Sequence, residues 1–289
     1  MRMDVGTMHM ENVTYFLPND ESELDRLDLY HHICTLVIDG ELYLAPIGKA
    51  PQRILDIGTG TGIWPIEMGD IFPSAEIIGN DLSPVQPKFV PPNVSFEVDD
   101  IEQDWAYSHP FDYIHCRYMA GSVKNWPRLV EQAFQHTKPG GWVEFQDFEM
   151  RWYTNSGVFK PGSPLDQWCT EIIEGVKSIG MEPEPGPKLE GWVRDAGFTK
   201  IKHQLFAIPT GTWPKYKKLK EIGAFDLVQF LDGMENISMR VLTSLRGYTQ
   251  EEVMVLLAKL KNDLRNPRLQ VQHNFHVVYA QKPLEPGTG

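Results

Sequence analysis

Short apolar runs alternate along this chain with longer stretches whose apolar residues recur every three or four positions, the pattern of a parallel sheet covered by helices on both faces. Runs near 53–57, 76–80, 94–98, 111–116 and 141–148 read as strands, and helical periodicity occupies 63–72 and 126–136. Upstream, Asp20, Glu21, Ser22 and Glu23 suit a helix N-terminus, and Leu24, Leu27, Tyr30 or His31, and Cys34 carry an apolar stripe to about Asp39-Gly40. Residues 1–21 lack that periodicity and are expected to form a loose arm. Pro65 is tolerable only in the opening turn of its helix, whereas the four prolines between Ser83 and Pro92 exclude a helix from the second crossover.

After Glu149 the pattern loosens through Asn155-Ser156-Gly157 and Lys160-Pro161-Gly162-Ser163-Pro164. Helices are expected from about Leu165 to Ile179 and from Leu189 to Ala196, the latter stopped by Gly197. Strands follow at 199–207 and 272–281, with helices near 214–232 and 249–264 between them. The expected fold is α/β: a doubly wound, mostly parallel sheet of seven strands, with a helix before the first strand and a helical cap inserted between the last two. Residues 1–50 would hold the arm and leading helix, 51–150 the ligand-binding core, and 151–289 the rest of the sheet with the cap, all in one compact unit.

The sharpest chemistry lies in Asp56-Ile57-Gly58-Thr59-Gly60-Thr61-Gly62, a strand turning through glycines into a helix, and in Asp81, which closes the run Ile77-Ile78-Gly79-Asn80 with Leu82 beside it. The glycines let backbone approach a ligand closely, and a carboxylate at the end of the neighbouring strand can accept hydrogen bonds from both hydroxyls of a ribose. A dinucleotide is excluded on two grounds. Ile63 stands where that fingerprint needs Gly or Ala, and Asp56 would repel a pyrophosphate. A ligand with an ammonium, a ribose and no phosphate is expected instead, and S-adenosylmethionine has those groups.

Asp99-Asp100-Ile101 ends the third strand, where an acid can take the exocyclic amine of adenine; Asp100 is favoured, with Ile101 as an apolar wall. The fourth strand runs through His115, Cys116 and Arg117 to Met119, so these residues should approach the reactive end of the ligand. In the cap, Trp213, Tyr216, Phe225, Phe230, Met234 and Met239 could line an apolar acceptor cavity.

A net charge of −12 argues against a protein that wraps nucleic acid, and the lysines at 215, 217, 218 and 220 read as a solvated helix face. No apolar run approaches the roughly 18 residues of a membrane span, and the N-terminus lacks the apolar core of a secretory signal, so an intracellular location, cytoplasmic or nuclear, is expected. Three separated cysteines suggest neither disulfides nor a zinc site, and no metal is expected: His273 and His276, three apart in a strand, fall on opposite faces.

The segment around Asp56 resembles motif I of the class I S-adenosylmethionine-dependent methyltransferases, with Asp81 at the position of their ribose-binding acid; Pro139-Gly140-Gly141 resembles the turn before their fifth strand. Beyond that, Leu17-Pro18-Asn19-Asp20-Glu21 through Asp28, His31-His32, Leu42-Tyr43-Leu44-Ala45-Pro46-Ile47, Asp99 through Trp105 and Ile114 through Arg117 resemble the LaeA-like group of fungal methyltransferases, over about residues 15–282. The resemblance implies a Rossmann-like fold, a leading helix that folds over the cofactor as a lid, and S-adenosylmethionine held by Asp56, Gly58, Thr59, Gly60, Asp81, Leu82, Asp100, Ile101, Cys116 and Arg117. It implies either O- or N-methylation of a small molecule of secondary metabolism or a regulator that binds the cofactor and acts through a velvet-type protein partner. A non-methylating reaction on the same fold is a third alternative. His31, His115 and Asp147 are the candidate proton acceptors, because the lid helix and the ends of the fourth and fifth strands should surround the methyl group.

Overall fold

The computed structural model describes residues 21–155 and 160–284. The expected N-terminal arm and most of the turn at 155–157 lie outside the described residues. Strands β1 (Arg53–Ile57), β2 (Glu76–Asp81), β3 (Val94–Val98), β4 (Phe111–Arg117) and β5 (Thr137–Phe148) run parallel in the order β3-β2-β1-β4-β5. Next, β8 (Val271–Gln281) enters antiparallel beside β5. Gln272 of β8 pairs with both β6 (Tyr153–Thr154) and β7 (Thr199–Pro209), so β7 lies on the outer side of β8 while β6 continues the β5 side. The seven expected strands are all present. The additional β6 has two residues and therefore no period to read, and β5 starts at Thr137 because a bulge lets that residue pair with Phe111.

Central strands β1 and β4 are covered on both faces, which is why four successive residues of each are buried, Asp56 and His115 among them. On one face α3 (Trp126–His136) and α5 (Leu189–Asp195) place Trp126, Leu129, Val130, Leu189 and Val193 against Leu55, Ile57, Ile114 and Val143. On the other, α2 (Ile63–Ile71) sets Trp64 and Met68 against Ile54, Ile77 and Tyr113. Helix α3 opens on Asn125, whose side chain accepts the Arg128 N–H, with Pro127 in its first turn.

Helix α1 (Glu21–Val37) buries Tyr30, Ile33, Cys34 and Val37 against Ile222 of α6 (Lys217–Ser238) and Phe275 and Val277 of β8. A buried carboxylate, Glu144 on β5, accepts backbone N–H groups of Leu44 and Ala45 and thereby ties the α1–β1 connection to the sheet. The cap has its own helical core: α4 (Pro164–Ser178), α7 (Gln250–Leu264) and a π-helical turn, Met239–Thr243, gather Trp152, Trp168, Ile172, Val241 and Leu257. Helix α6 runs past the expected stop near 232 because Gly233 does not end it. A Cβ there would lie 2.6 Å from Cδ of Arg26, so the glycine serves the close approach of α1. Among the described residues no helix is long and apolar enough to cross a membrane.

Candidate active site

The carboxyl ends of β1, β2, β3 and β4 converge on a cavity of about 500 Å³, with Glu23, Leu27, Tyr30 and His31 of α1 forming one wall. Parallel strands with helices between them always leave such a crevice where the chain order reverses beside the first strand. Gly58 turns the chain here with φ of 66°, and a Cβ on it would sit 2.3 Å from Sδ of Met119. Its successor Gly60 donates its N–H to Oδ2 of Asp81 at 2.8 Å, while Ser83 donates to Oδ1 at 2.9 Å. Asp81 lines the cavity, and burial raises its carboxyl above its ordinary range.

Asp56 lines the cavity, but its carboxylate is already engaged. The β1–β4 register puts it directly beside His115, whose Nδ1 lies 2.7 Å from Oδ1, and Thr59 donates its hydroxyl to Oδ2 at 2.6 Å. Burial holds the His115 pKa low, so the ring is neutral and Nδ1–H is the donor to Asp56. That leaves the His115 Nε2 lone pair buried and without a partner among the described residues, on a ring stacked 3.9 Å from Trp64 and lining the cavity. The carboxylate therefore meets the cavity with both oxygens already accepting, and the imidazole adds a further acceptor beside it.

Arg117 supplies the opposite charge. Its Nη2 donates to Nδ1 of His31 at 2.6 Å, and Nε2 of His31 donates to Glu67 at 3.0 Å. Burial, then the Arg117 charge, push the His31 pKa down to about 2, so His31 is a neutral brace with both nitrogens committed. Nη1 of Arg117 is buried and unpartnered among the described residues. One orphaned acceptor and one orphaned cationic donor thus share a single cavity, the complement of an amino-acid zwitterion.

Asp100 and Ile101 line the same cavity, as do Thr59, Leu82 and Asp99. Cys116 does not: it is 1% exposed and packs with Leu55 and Ile57 in the sheet core. Asp147 lines neither cavity. It is fully buried and accepts the backbone N–H groups of Met119 and Phe148, and burial pushes its carboxyl up to about 7. Its place is under the turn after β4, where Tyr118 adopts a left-handed φ of 62°.

That turn leads to a second cavity of about 110 Å³, bounded by Phe148, Trp152, Trp168, Phe230, Met234 and His273. Glu23, Tyr30, Tyr118 and Gly121 line both. At the shared wall Arg26 makes a two-pronged ion pair with Glu23, at 2.8 and 2.6 Å, and donates to Tyr118 Oη and Gln229 Oε1. Of the cap residues expected to line an acceptor cavity, Phe230 and Met234 do. Tyr216 is 77% exposed, Trp213 donates its indole N–H to the Val271 carbonyl, Phe225 packs toward His32 of α1, and Met239 joins the helical core of the cap.

Residues 29–203 match the methyltransferase domain family. The chain belongs to that family. Its cofactor is S-adenosylmethionine, and the zwitterion-matched ends, the Asp81 carboxylate and the glycine turn fit that molecule. The methyltransferase is 45% identical over 271 residues to Methyltransferase pytC of Aspergillus terreus, covering 93% of this chain and 84% of that one. It is 33% identical to Probable methyltransferase tdiE of Emericella nidulans, with coverage of 92% and 84%. Protein-methionine methyltransferase laeA of the same organism is 32% identical, with coverage of 93% and 73%, and places the methyltransferase in the LaeA-like group of class I enzymes. Among solved structures, a methyltransferase in complex with the Trm112 activator of Haloferax volcanii has a TM-score of 0.52 at 15% identity, covering 92% and 96% of the two chains. The [4+2]-cyclase SpnF has a TM-score of 0.51 at 14% identity, covering 93% and 97%. Both are likenesses of fold.

Reading the chain alone did not single out Arg26, Trp152, Trp168 or Gln229, which reach the second cavity from four separate elements or loops. For Arg26 a signal existed: Glu23 and Arg26 stand three apart on one helix, the spacing of an ion pair.

Proposed function

We propose that the methyltransferase transfers its methyl group to an oxygen or nitrogen of a small molecule seated in the second cavity. The observation that carries this reading is the cavity itself: an aromatic recess that shares Glu23, Tyr30, Tyr118 and Gly121 with the cofactor crevice. When bound, S-adenosylmethionine supplies an electrophilic methyl on a sulfonium. Arg117 would hold the carboxylate of its amino-acid tail and His115 Nε2 its ammonium, with Asp56 fixing the His115 tautomer. Asp81 would take the ribose hydroxyls and Asp100 with Ile101 the base. The remaining work of the chain is to orient the acceptor and keep water out, since the leaving group needs no further activation. His31 and Asp147 support this arrangement as positioning groups, His31 through Arg117 and Asp147 through the turn at Tyr118.

The laeA relative carries a name that specifies a protein methionine as acceptor, and a velvet-type partner remains the regulatory alternative. A recess walled by rings suits a small molecule better than a broad macromolecular contact does. The test is to incubate the purified chain with methyl-labelled cofactor and an extract of its source organism split into protein-free and protein fractions. Label in the protein-free fraction is expected; label confined to protein would overturn the reading.

A further inference from the structure

The second cavity contains an acid–base pair that the cofactor does not use. His273 of β8 is 3% exposed, and its Nε2 lies 3.2 Å from Oδ1 of Asp226 on α6. Asp226 is fully buried and also accepts from Thr210 Oγ1 at 2.5 Å and Gln229 Nε2 at 3.1 Å. A carboxylate surrounded by donors is an acceptor only, so Nε2 carries the ring proton and Nδ1 keeps a lone pair. That Nδ1 is buried and has no partner among the described residues. The ring cannot turn to find one, because Trp152 stacks on it at 5.1 Å and 14° and Phe148 meets it edge-on at 6.2 Å.

A buried lone pair left unmet is unfavourable, and nothing in the aromatic walls offsets it. The other charged and titratable groups facing this cavity are Arg26 and Glu23 from α1, which are paired with each other, with Tyr30 and Tyr118. Arg26 is further committed to Tyr118 and Gln229 and so leaves Nδ1 open. The walls set the shape of what comes in. Trp152, Trp168, Phe230 and Phe148 wall about 110 Å³, less than the apolar cavity of about 150 Å³ that holds benzene, so one ring is the most the recess takes, extending across the wall it shares with the cofactor crevice at Tyr30 and Tyr118.

We propose that this cavity receives a planar aromatic acceptor bearing a hydroxyl, and that the Asp226–His273 pair takes the hydroxyl proton during methyl transfer. The proposal rests on the reading that the acceptor is a small molecule. The acceptor oxygen uses a lone pair to bond the methyl carbon, the carbon–sulfur bond breaks with its electrons staying on sulfur, and S-adenosylhomocysteine is left. The hydroxyl proton passes to Nδ1, the resulting imidazolium is held by the Asp226 carboxylate, and the proton then leaves to water.

The test uses the full chain saturated with S-adenosylhomocysteine and two probes of similar size: phenol, which donates a hydrogen bond, and pyridine, which only accepts one. Calorimetry on the unsubstituted chain is expected to show phenol bound about tenfold or more tightly than pyridine. In Asp226→Asn the amide oxygen keeps accepting from Nε2 and from Gln229 while its nitrogen meets the Thr210 hydroxyl, so the tautomer, read by NMR of isotope-labelled histidine, and the preference should persist. His273→Phe should make the two probes equal. Equal affinities for the unsubstituted chain, or a preference that survives His273→Phe, would overturn the proposal. Were label to reach the protein-free fraction above while phenol gained no preference, the small-molecule reading would stand and the acid–base pair alone would fall. If neither probe binds, the cavity is not the acceptor site.

Discussion

At the scale of single residues, the pocket works by leaving selected polar atoms unsatisfied in the absence of ligand. Asp81→Ala removes the acceptor for Gly60 and for a ribose, and should weaken S-adenosylhomocysteine by roughly 1–3 kcal/mol in calorimetry; unchanged affinity would take Asp81 out of the pocket. Arg117→Met should cost about 1.5–3 kcal/mol, the scale of a hydrogen bond to a charged group, whereas His31→Phe, which keeps the charge but loses its brace, should cost less. Equal losses from both would mean that His31 itself touches the ligand. Asp56 shows what linear reading can and cannot reach. Its type and its distance from the glycines excluded a diphosphate, but the imidazole that occupies its Oδ1 follows from the pairing of Asp56 with His115, fifty-nine positions away, and no local spacing reveals that. His273 was likewise visible only as one of two histidines on opposite faces of a strand. Its significance comes from Asp226, which α6 brings to it across the cap.

At the scale of elements, β4, β5 and the turn between the two cavities are coupled by Asp147. Its carboxyl, ordinarily near 3.8, is pushed up to about 7 by burial, partly countered by the backbone N–H groups of Phe148, Met119 and Ala120. The folded chain therefore holds this proton more tightly than the unfolded chain does. That contribution to stability is present below about pH 4 and declines as pH rises toward 7, by up to about 1.4 kcal/mol per unit. Asp147→Asn cannot titrate, so the urea midpoint plotted against pH should fall less steeply between pH 5 and 7 in the variant; parallel curves would show that Asp147 keeps an ordinary pKa. Strands and most helices were legible because period and punctuation agree in them: Ser163 and Thr249 accept backbone N–H groups at the N-termini of α4 and α7 where the periodic stretches begin. The end of α6 was not, because Gly233 serves a neighbouring helix, and a glycine that permits contact looks the same in sequence as one that stops a helix.

At the scale of the whole molecule, α1 joins the two cavities. It reaches the cofactor crevice with Leu27 and His31, the second cavity with Arg26, and packs its apolar face on α6. Gly233→Leu would force Arg26 away and should raise susceptibility of α1 to proteolysis while S-adenosylhomocysteine, at a hundred times its dissociation constant, still adds about 2.7 kcal/mol to folding. Loss of that ligand-induced stabilisation would mean that α1 cannot be loosened without losing the crevice.

Apart from Met181, the cofactor crevice is lined by residues up to Lys124, whereas most of the second recess comes from Phe148 onward, including the long insertion between β7 and β8. Heredity can therefore edit one function without rewriting the other. Exchanging the C-terminal half between two relatives should carry substrate preference with it and leave methyl-donor affinity behind, so diversification in this lineage would proceed by swapping a receptacle on a constant engine.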